Sequence, residues 1–224
     1  MKCLFARVRT SLFVVLLLCS GPAFAAQTSP AEPFLEQLSA VQTQWAQINY
    51  RSVQSAKEDA FKSLADQSAA LVKGYDQHAE VHIWHGIVLS SWAGARGGLG
   101  ALDLAKQAKA EYERALAIDR QALQGSALAS LGVLYFKVPG WPLGFGDDKK
   151  AEALLKEALQ VNPQGIDPNY FYADFLLDQG RPSESLLYAQ QALKAPARPG
   201  RELADQGRRD EALALVQKIK AKRP

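Results

Sequence analysis

His78, His82 and His85 stand four and three residues apart, so one face of a helix could present all three. Imidazoles at that spacing could ligate zinc. No clustered carboxylate completes the set, however. His82 and His85 fall where helix packing is expected, and His78 is expected just before a helix, after a turn marked by Gly74 and Asp76. Packed or partly exposed histidines are therefore the first reading and metal ligation the lesser one. Gly97-Gly98-Leu99-Gly100 opens a helical stretch and could cradle a phosphate, but no strand precedes it and no P-loop lysine follows. Serine, histidine and acidic residues form no recognisable nucleophile–base motif. The chain reads as a non-enzyme with no metal and no cofactor. The remaining candidates for recognition chemistry are aromatic: Trp141 and Phe145 in the Gly/Pro-rich stretch Val138–Asp148. They either plug the end of a helix pair or line a pocket or docking patch, since long loops often carry function. Asp147 and Asp148 suit an N-cap and a first-turn acid.

Composition narrows the classes further. The 224 residues are 48% hydrophobic and 22% charged, the balance of a globular protein rather than a disordered or multispan one. The first 25 residues resemble a secretory signal: Lys2, Arg7 and Arg9, the short apolar run Leu12–Leu18, then Ala23-Phe24-Ala25. Cleavage after Ala25 and a periplasmic product are expected. Lipidation at Cys19 is the lesser reading, because Leu18 precedes that cysteine where a small residue belongs. Without the leader, the 26 basic residues fall by three and match the 23 acidic ones. No cysteine is left, so disulfides, thiol catalysis and cysteine–zinc sites drop out. A neutral chain gains nothing from a phosphate field, so nucleic acid is not an expected partner.

The elements that would position these residues are helices. Residues 26–33 read as a flexible leader and 34–224 as a single helical-repeat domain. Apolar residues then recur at i, i+3, i+4 and i+7, and period-2 runs of β-branched residues are missing. The pattern predicts helices over Phe34–Tyr50, Lys57–Lys73, Glu80–Trp92, Leu102–Ile118, Ser126–Lys137, Asp148–Val161, Asn169–Asp178, Pro182–Lys194 and about Arg208–Lys220. Gly180 and Pro182 separate two of them as a C′ glycine and an N1 proline would. A turn motif is expected twice, as Asp178-Gln179-Gly180-Arg181 and as Asp205-Gln206-Gly207-Arg208.

The helices pair, and the pairs repeat. Leu131, Gly132 and Tyr135, then Ala151, Leu155, Ala158, Leu159 and Pro163, match the tetratricopeptide pattern, and Ala158 recurs as Ala192, 34 residues on. Gly132 and Ala158 are expected at close helix crossings. The fold class is all-α: an α-solenoid of helix hairpins, tetratricopeptide-like, in which each hairpin buries its second face on the next. Two inter-helix connections are too long for the repeat, from Gly86 to Ala108 by about ten residues and from Gly132 to Ala151 by about seven. The inserts should lie side by side as one surface, in which Arg96 is included. The first helix of each pair should line the inside of the superhelix, placing Ile83, Ile87, Val133, Phe136, Tyr170 and Asp174 there. Phe136, Trp141, Phe145 and Tyr170 are expected to form one recognition region. Arg198, Arg201, Arg208, Arg209, Lys218, Lys220, Lys222 and Arg223 read mainly as a solvated basic face, with a membrane or acidic-partner patch as the lesser reading.

The stretches Gly97–Leu102, Val138–Asp147, Gly165–Tyr172 and Arg198–Arg201 resemble the T-component family associated with TRAP transporters, tripartite solute importers of the periplasm. The similarity covers about residues 80–210, with VPGWPLGFGD its most specific part. The resemblance implies an all-helical periplasmic protein working beside a solute-binding protein, as a homo-oligomer with an apolar channel or pocket. The first functional expectation is thus a periplasmic module that docks a partner protein in solute uptake. The alternatives are a carrier of a small apolar or aromatic ligand and a cell-envelope scaffold unrelated to transport.

Overall fold

The structure, a computed structural model, describes residues 33–221. The signal-like segment, the site after Ala25, Cys19, the leader apart from Pro33, Lys222 and Arg223 lie outside the described residues. The helices are α1 (Pro33–Arg51), α2 (Gln54–Gly74), α3 (Ala79–Arg96), α4 (Gly98–Ile118), α5 (Ala122–Lys137), α6 (Asp148–Val161), α7 (Ile166–Asp178), α8 (Pro182–Leu193) and α9 (Glu202–Ala221). Among the described residues there is no strand, and no helix is long and apolar enough to cross a membrane.

The helices form two layers. Helices α1, α3, α5, α7 and α9 each touch the next of that series, and α9 returns to touch α1. This inner series is a closed ring, with α2, α4, α6 and α8 packed outside it as the second arms of hairpins. Small residues set the spacing between arms. A Cβ on Gly86 would lie 2.6 Å from the Tyr112 ring, and one on Gly132 would lie 2.8 Å from Leu155 Cγ and 3.3 Å from the Ala151 carbonyl oxygen. In the last hairpin Ser185 takes the small-residue place. It is fully buried, and its hydroxyl donates to the Ala173 carbonyl at 2.7 Å, which satisfies the polar group inside the crossing. Asp147 caps α6 by accepting from the Lys150 amide, and Pro182 sits in the first turn of α8 after Gly180 at φ 71°.

Three features differ from the sequence expectation. The extra residues between Gly86 and Ala108 are taken up mostly as helix: α3 runs on to Arg96 and α4 starts at Gly98, with only Gly97 (φ 65°) between them. The α5 assignment begins at Ala122, but Leu123, Gln124 and Gly125 form a left-handed turn at φ 46°, 57° and 76°. The right-handed helix therefore starts at Ser126, where the apolar spacing puts it. Finally, α9 starts at Glu202, well before the expected Arg208. Asp205–Arg208 is not a turn but lies inside this helix. Gly207 is the point where the Tyr50 ring of α1 presses on the α9 backbone, in space that a Cβ would occupy.

Beside this contact an ion cluster ties α9 to α7. Asp167, in the first turn of α7, accepts from Arg198 Nη1 at 2.7 Å and from Arg208 Nε at 2.8 Å. Arg198 Nε also donates to the buried Asp205 at 2.7 Å, and Arg208 Nη1 donates to Glu211. The Arg208 guanidinium lies 4.5 Å above Phe171 and 4.7 Å above Tyr170. Two of the arginines expected on a solvated face are instead built into the fold. Burial alone would raise the Asp167 carboxyl, but Arg208 and Arg198 overcome that and hold it at about 2.

Two measurements test this frame. Ala at an exposed helical glycine should gain roughly 0.5–1 kcal/mol. Gly94 in α3 has nothing within 4 Å of its missing Cβ. Gly94→Ala should therefore stabilise by that amount, whereas Gly132→Ala should destabilise by about 1–3 kcal/mol through overpacking. Urea unfolding of the two variants must move in opposite directions. The second measurement concerns pH. A carboxyl held at about 2 against an unfolded value near 3.8 stabilises fully above pH 4 and loses that contribution as pH falls through 2. Asp167→Asn should cost about 3 kcal/mol at pH 7, because two arginines lose their partner. That gap should shrink by about 1 kcal/mol between pH 6 and pH 3. A gap that stays constant with pH would contradict the clamp.

Candidate functional site

The ring of inner helices surrounds a cavity of about 540 Å³, within the range of about 300–1,000 Å³ common for small-molecule pockets. Its lining comes mainly from the inner helices, with Tyr112 of α4 and the segments before α7 and α9 completing it.

One wall is aromatic and hydroxyl-bearing. Trp45 of α1 and Trp84 of α3 meet edge to face at 5.8 Å. Trp45 Nε1 donates to Ser91 Oγ at 2.8 Å, and that hydroxyl donates to the Ile87 carbonyl one turn back. Both hydrogen-bonding groups are satisfied, so the indole is fixed in place. Tyr112 of α4 reaches the cavity beside Gly86, its hydroxyl 3.1 Å from Ser90 Oγ, and complete burial pushes its phenol well above the usual range. Ser126, Ala129, Ser130 and Val133 of α5 and Phe171 of α7 continue the wall.

Charged residues adjoin this wall. Asp167, Arg198, Arg208 and Glu211 of the ion cluster face the cavity, together with Arg201. The Arg201 guanidinium lies 4.7 Å above the Trp84 ring. Among the described residues it meets no carboxylate and no other hydrogen-bond acceptor. Burial, and the Arg198 charge beside it, favour its neutral form more than in water. The Tyr50 hydroxyl is buried beside Asn49 without a hydrogen bond of normal geometry, and burial raises it to about 12.

The residues singled out by sequence divide among different places. Ile87 and Val133 line the cavity, while Ile83 is fully buried in a separate apolar cluster with Ala79 and Ala115. Asp174 pairs with Lys137 at 2.7 Å and does not line the cavity. Arg96 pairs with Glu58 at 2.9 Å and lies over Trp92. None of Phe136, Trp141, Phe145 and Tyr170 lines the cavity. Phe136 packs on Phe175, Phe145 on Tyr135 and Tyr170 on Phe171 and Arg208. Each of these three rings packs on a different aromatic neighbour.

Trp141 stands apart, 90% exposed, with Leu143 73% exposed beside it. The loop that carries them is internally bonded. The amides of Leu143 and Gly144 donate to the Gly140 carbonyl, Gly146 to Pro139 and Asp147 to Tyr135. Cβ atoms at Gly144 or Gly146 would collide with the backbone of Pro139 or Val138, so glycine is what lets the loop close on itself. The Trp141–Pro142 peptide is cis. The loop rests on α4 through Leu102 and through Lys109, whose ammonium is 5.9 Å from the Phe145 ring.

The histidines are individually held. His82 Nδ1 is 2.6 Å from Glu111 and its Nε2 is 2.9 Å from the Asp76 carbonyl, while His85 Nδ1 is 2.8 Å from Ser68 Oγ. His78 precedes α3 and packs on Phe34. No group of three or more His, Cys, Asp or Glu that could hold a metal occurs among the described residues.

Sequence reasoning missed Trp45, Trp84, Tyr50 and Arg201. Trp45 lies in the hairpin without motif residues. Arg201 belongs to a basic run whose ordinary fate is solvent. The available signal was a set of serines on the same first helices that carry the repeat pattern. Ser90 and Ser91 follow Trp84 on α3, and Ser126 and Ser130 stand one turn apart on α5. Hydroxyls at those positions mark an inner face that is wetter than a core.

The chain matches no protein-family model and no curated protein sequence. Among solved structures it is similar to a thermophilic tetratricopeptide-repeat protein of Thermus thermophilus, with a TM-score of 0.54 and 20% identity over 85% of this chain and 92% of that one. That likeness shows the fold: an all-helical solenoid of tetratricopeptide-like hairpins.

Proposed function

We propose that this chain is a helical-repeat docking protein and that a partner protein grips it by the loop Val138–Asp147. One observation carries the reading: Trp141, 90% exposed, is presented at the tip of a loop that its own hydrogen bonds hold in shape. Tryptophan is among the residues that dominate binding energy at protein interfaces. A loop already in its bound form loses little conformational freedom on association. Leu143 beside it widens the apolar contact, and Asp147 and Asp148 supply an acidic rim. The same ten residues carry the most specific part of the resemblance to the TRAP T-component family. On that basis the partner is a solute-binding protein of TRAP type and the place of action is the periplasm.

The test is crosslinking in the periplasm followed by mass spectrometry, comparing the parent with Trp141→Ala. Because Trp141 touches almost nothing in its own chain, the variant should unfold within about 0.5 kcal/mol of the parent. Its affinity for the partner should fall by about 2 kcal/mol, or thirtyfold. Recovery of the same partner in equal yield from the variant would sink the docking reading. Recovery of a second copy of this chain alone would replace a heterologous partner with self-association.

A further inference from the structure

The cavity is not the apolar pocket that a carrier of purely apolar ligands would need, because one wall holds three guanidiniums, those of Arg198, Arg201 and Arg208. Two of them are occupied. Arg198 divides its donors between Asp167 and Asp205, and Arg208 between Asp167 and Glu211. The carboxylates are turned toward those two arginines. Asp167 and Asp205 are near enough to Arg201 for their charge to be felt, yet neither forms an ion pair with it. Arg201 is thus left with its planar fork of donors unused at the cavity wall, stacked on Trp84.

We infer that the cavity binds a small carboxylate with a flat apolar body, Arg201 taking the carboxylate and the Trp45–Trp84 wall taking the body. This proposal is separate from the docking loop and does not depend on it.

The chemistry of the wall selects this class. A guanidinium matches a carboxylate in two parallel hydrogen bonds, and the pairing strengthens where water is scarce. A single free arginine suits one negative charge better than the multiple charge of a phosphate ester, since Arg198 and Arg208 cannot turn to the ligand without abandoning Asp167. Flat apolar groups gain on the faces and edges of indoles, and Phe171, Ile87 and Val133 extend that contact around the ring. The hydroxyls of Ser90, Ser126 and Ser130 can serve polar substituents on the body. Stacking on Trp84 does not compete with the carboxylate. A cation–π contact uses no N–H donor in a hydrogen bond, so the donors of Arg201 stay available.

The cavity walls contain their own reporters, Trp45 and Trp84. Titration of the protein with naphthalene-2-carboxylate, indole-3-acetate and benzoate, each beside its carboxamide, can be followed by calorimetry and by tryptophan fluorescence. At least one acid should bind roughly tenfold or more tightly than its amide. That preference should weaken as salt is raised, because it comes from charge. Arg201→Met keeps an apolar stem on Trp84 and breaks no ion pair, so its circular dichroism and melting should match the parent. It should bring the acid-to-amide ratio to about one while leaving amide binding in place. Arg201→Lys, which keeps the charge and loses the fork, should restore only part of the ratio. Arg114→Met, on the exposed face of α4, and Trp141→Ala should leave it unchanged. The proposal is overturned if none of the acids binds, if acid and amide bind alike, or if either Arg201 variant keeps the full preference.

Discussion

A carboxylate shared by two arginines is costly to remove from water and rewarding only if every donor and acceptor is placed. Asp167 meets that condition because its partners come from two places on the chain: Arg198 from the segment before α9 and Arg208 from within it. The cluster therefore ties α7 to α9 and so fixes α9 where it can meet α1. Closure needs a second concession, the missing side chain of Gly207, which lets the Tyr50 ring of α1 reach the α9 backbone. The ion pairs to α7 and the close approach to α1 together hold α9 in the ring. The cavity exists because the ring exists. Arginine rather than lysine is required, since each guanidinium must serve two acceptors in fixed directions and, for Arg208, lie over two rings.

The layers of the fold were legible because they depend on local signals. Apolar spacing located the helices, Gly180 and Pro182 the break before α8, and Gly132 with Leu155 the crossing inside a hairpin. What could not be read is what depends on distant pairing. Asp205-Gln206-Gly207-Arg208 copies the tetrapeptide that ends α7, yet one is a turn and the other a helix interior. The tetrapeptide at 178 is followed by a proline, which ends the preceding helix. The one at 205 meets Tyr50, from the opposite end of the described chain, and its glycine answers to that contact instead of to a turn. The insert between Gly86 and Ala108 was visible as extra length, but length alone does not say whether a hairpin gains a loop or longer arms. The arms lengthen although four of residues 93–100 are glycine, and Gly97 supplies the reversal.

The candidate site was legible only in outline. The rule that first helices face inward held for Ile87 and Val133, and it fails for Ile83 and Asp174 because a helix stripe about a hundred degrees wide has a centre and two edges. Ile83 falls on the edge that packs against α4, and Asp174 on the edge that meets Lys137. The aromatic residues misled for a related reason. A large ring in a small solenoid usually packs on its neighbours, and Phe136, Phe145 and Tyr170 do so, each on a different ring. The rings that face the cavity come from α1, α3, α4 and α7, and the closed ring brings Trp84 of α3 against Arg201 of the segment leading into α9.

Besides α4, which brings Tyr112 to the cavity and Leu102 and Lys109 to the loop, helix α5 is common to both proposed sites. Its inward stripe, Ser126 to Val133, lines the cavity, and its last turn anchors the exposed loop through the Tyr135 carbonyl and ring. Sharing a helix does not by itself couple the sites. Coupling requires an element with two arrangements that both ligands bias. The C-terminal half of α5 is locked by the Gly132 crossing, where the closest contacts leave no room for a rotation or a slide. Its N-terminal turn is different. Leu123 and Gln124 hold left-handed conformations that cost a non-glycine residue about 1–2 kcal/mol each. A hydrogen bond from Asn162 to Gln124 helps to keep the turn at the cavity rim. If the rim relaxes when the cavity fills, the strain is released at the end of α5 opposite the loop. The physical expectation is thus of two sites that act independently, one recognising a protein on the outside and the other an anion on the inside.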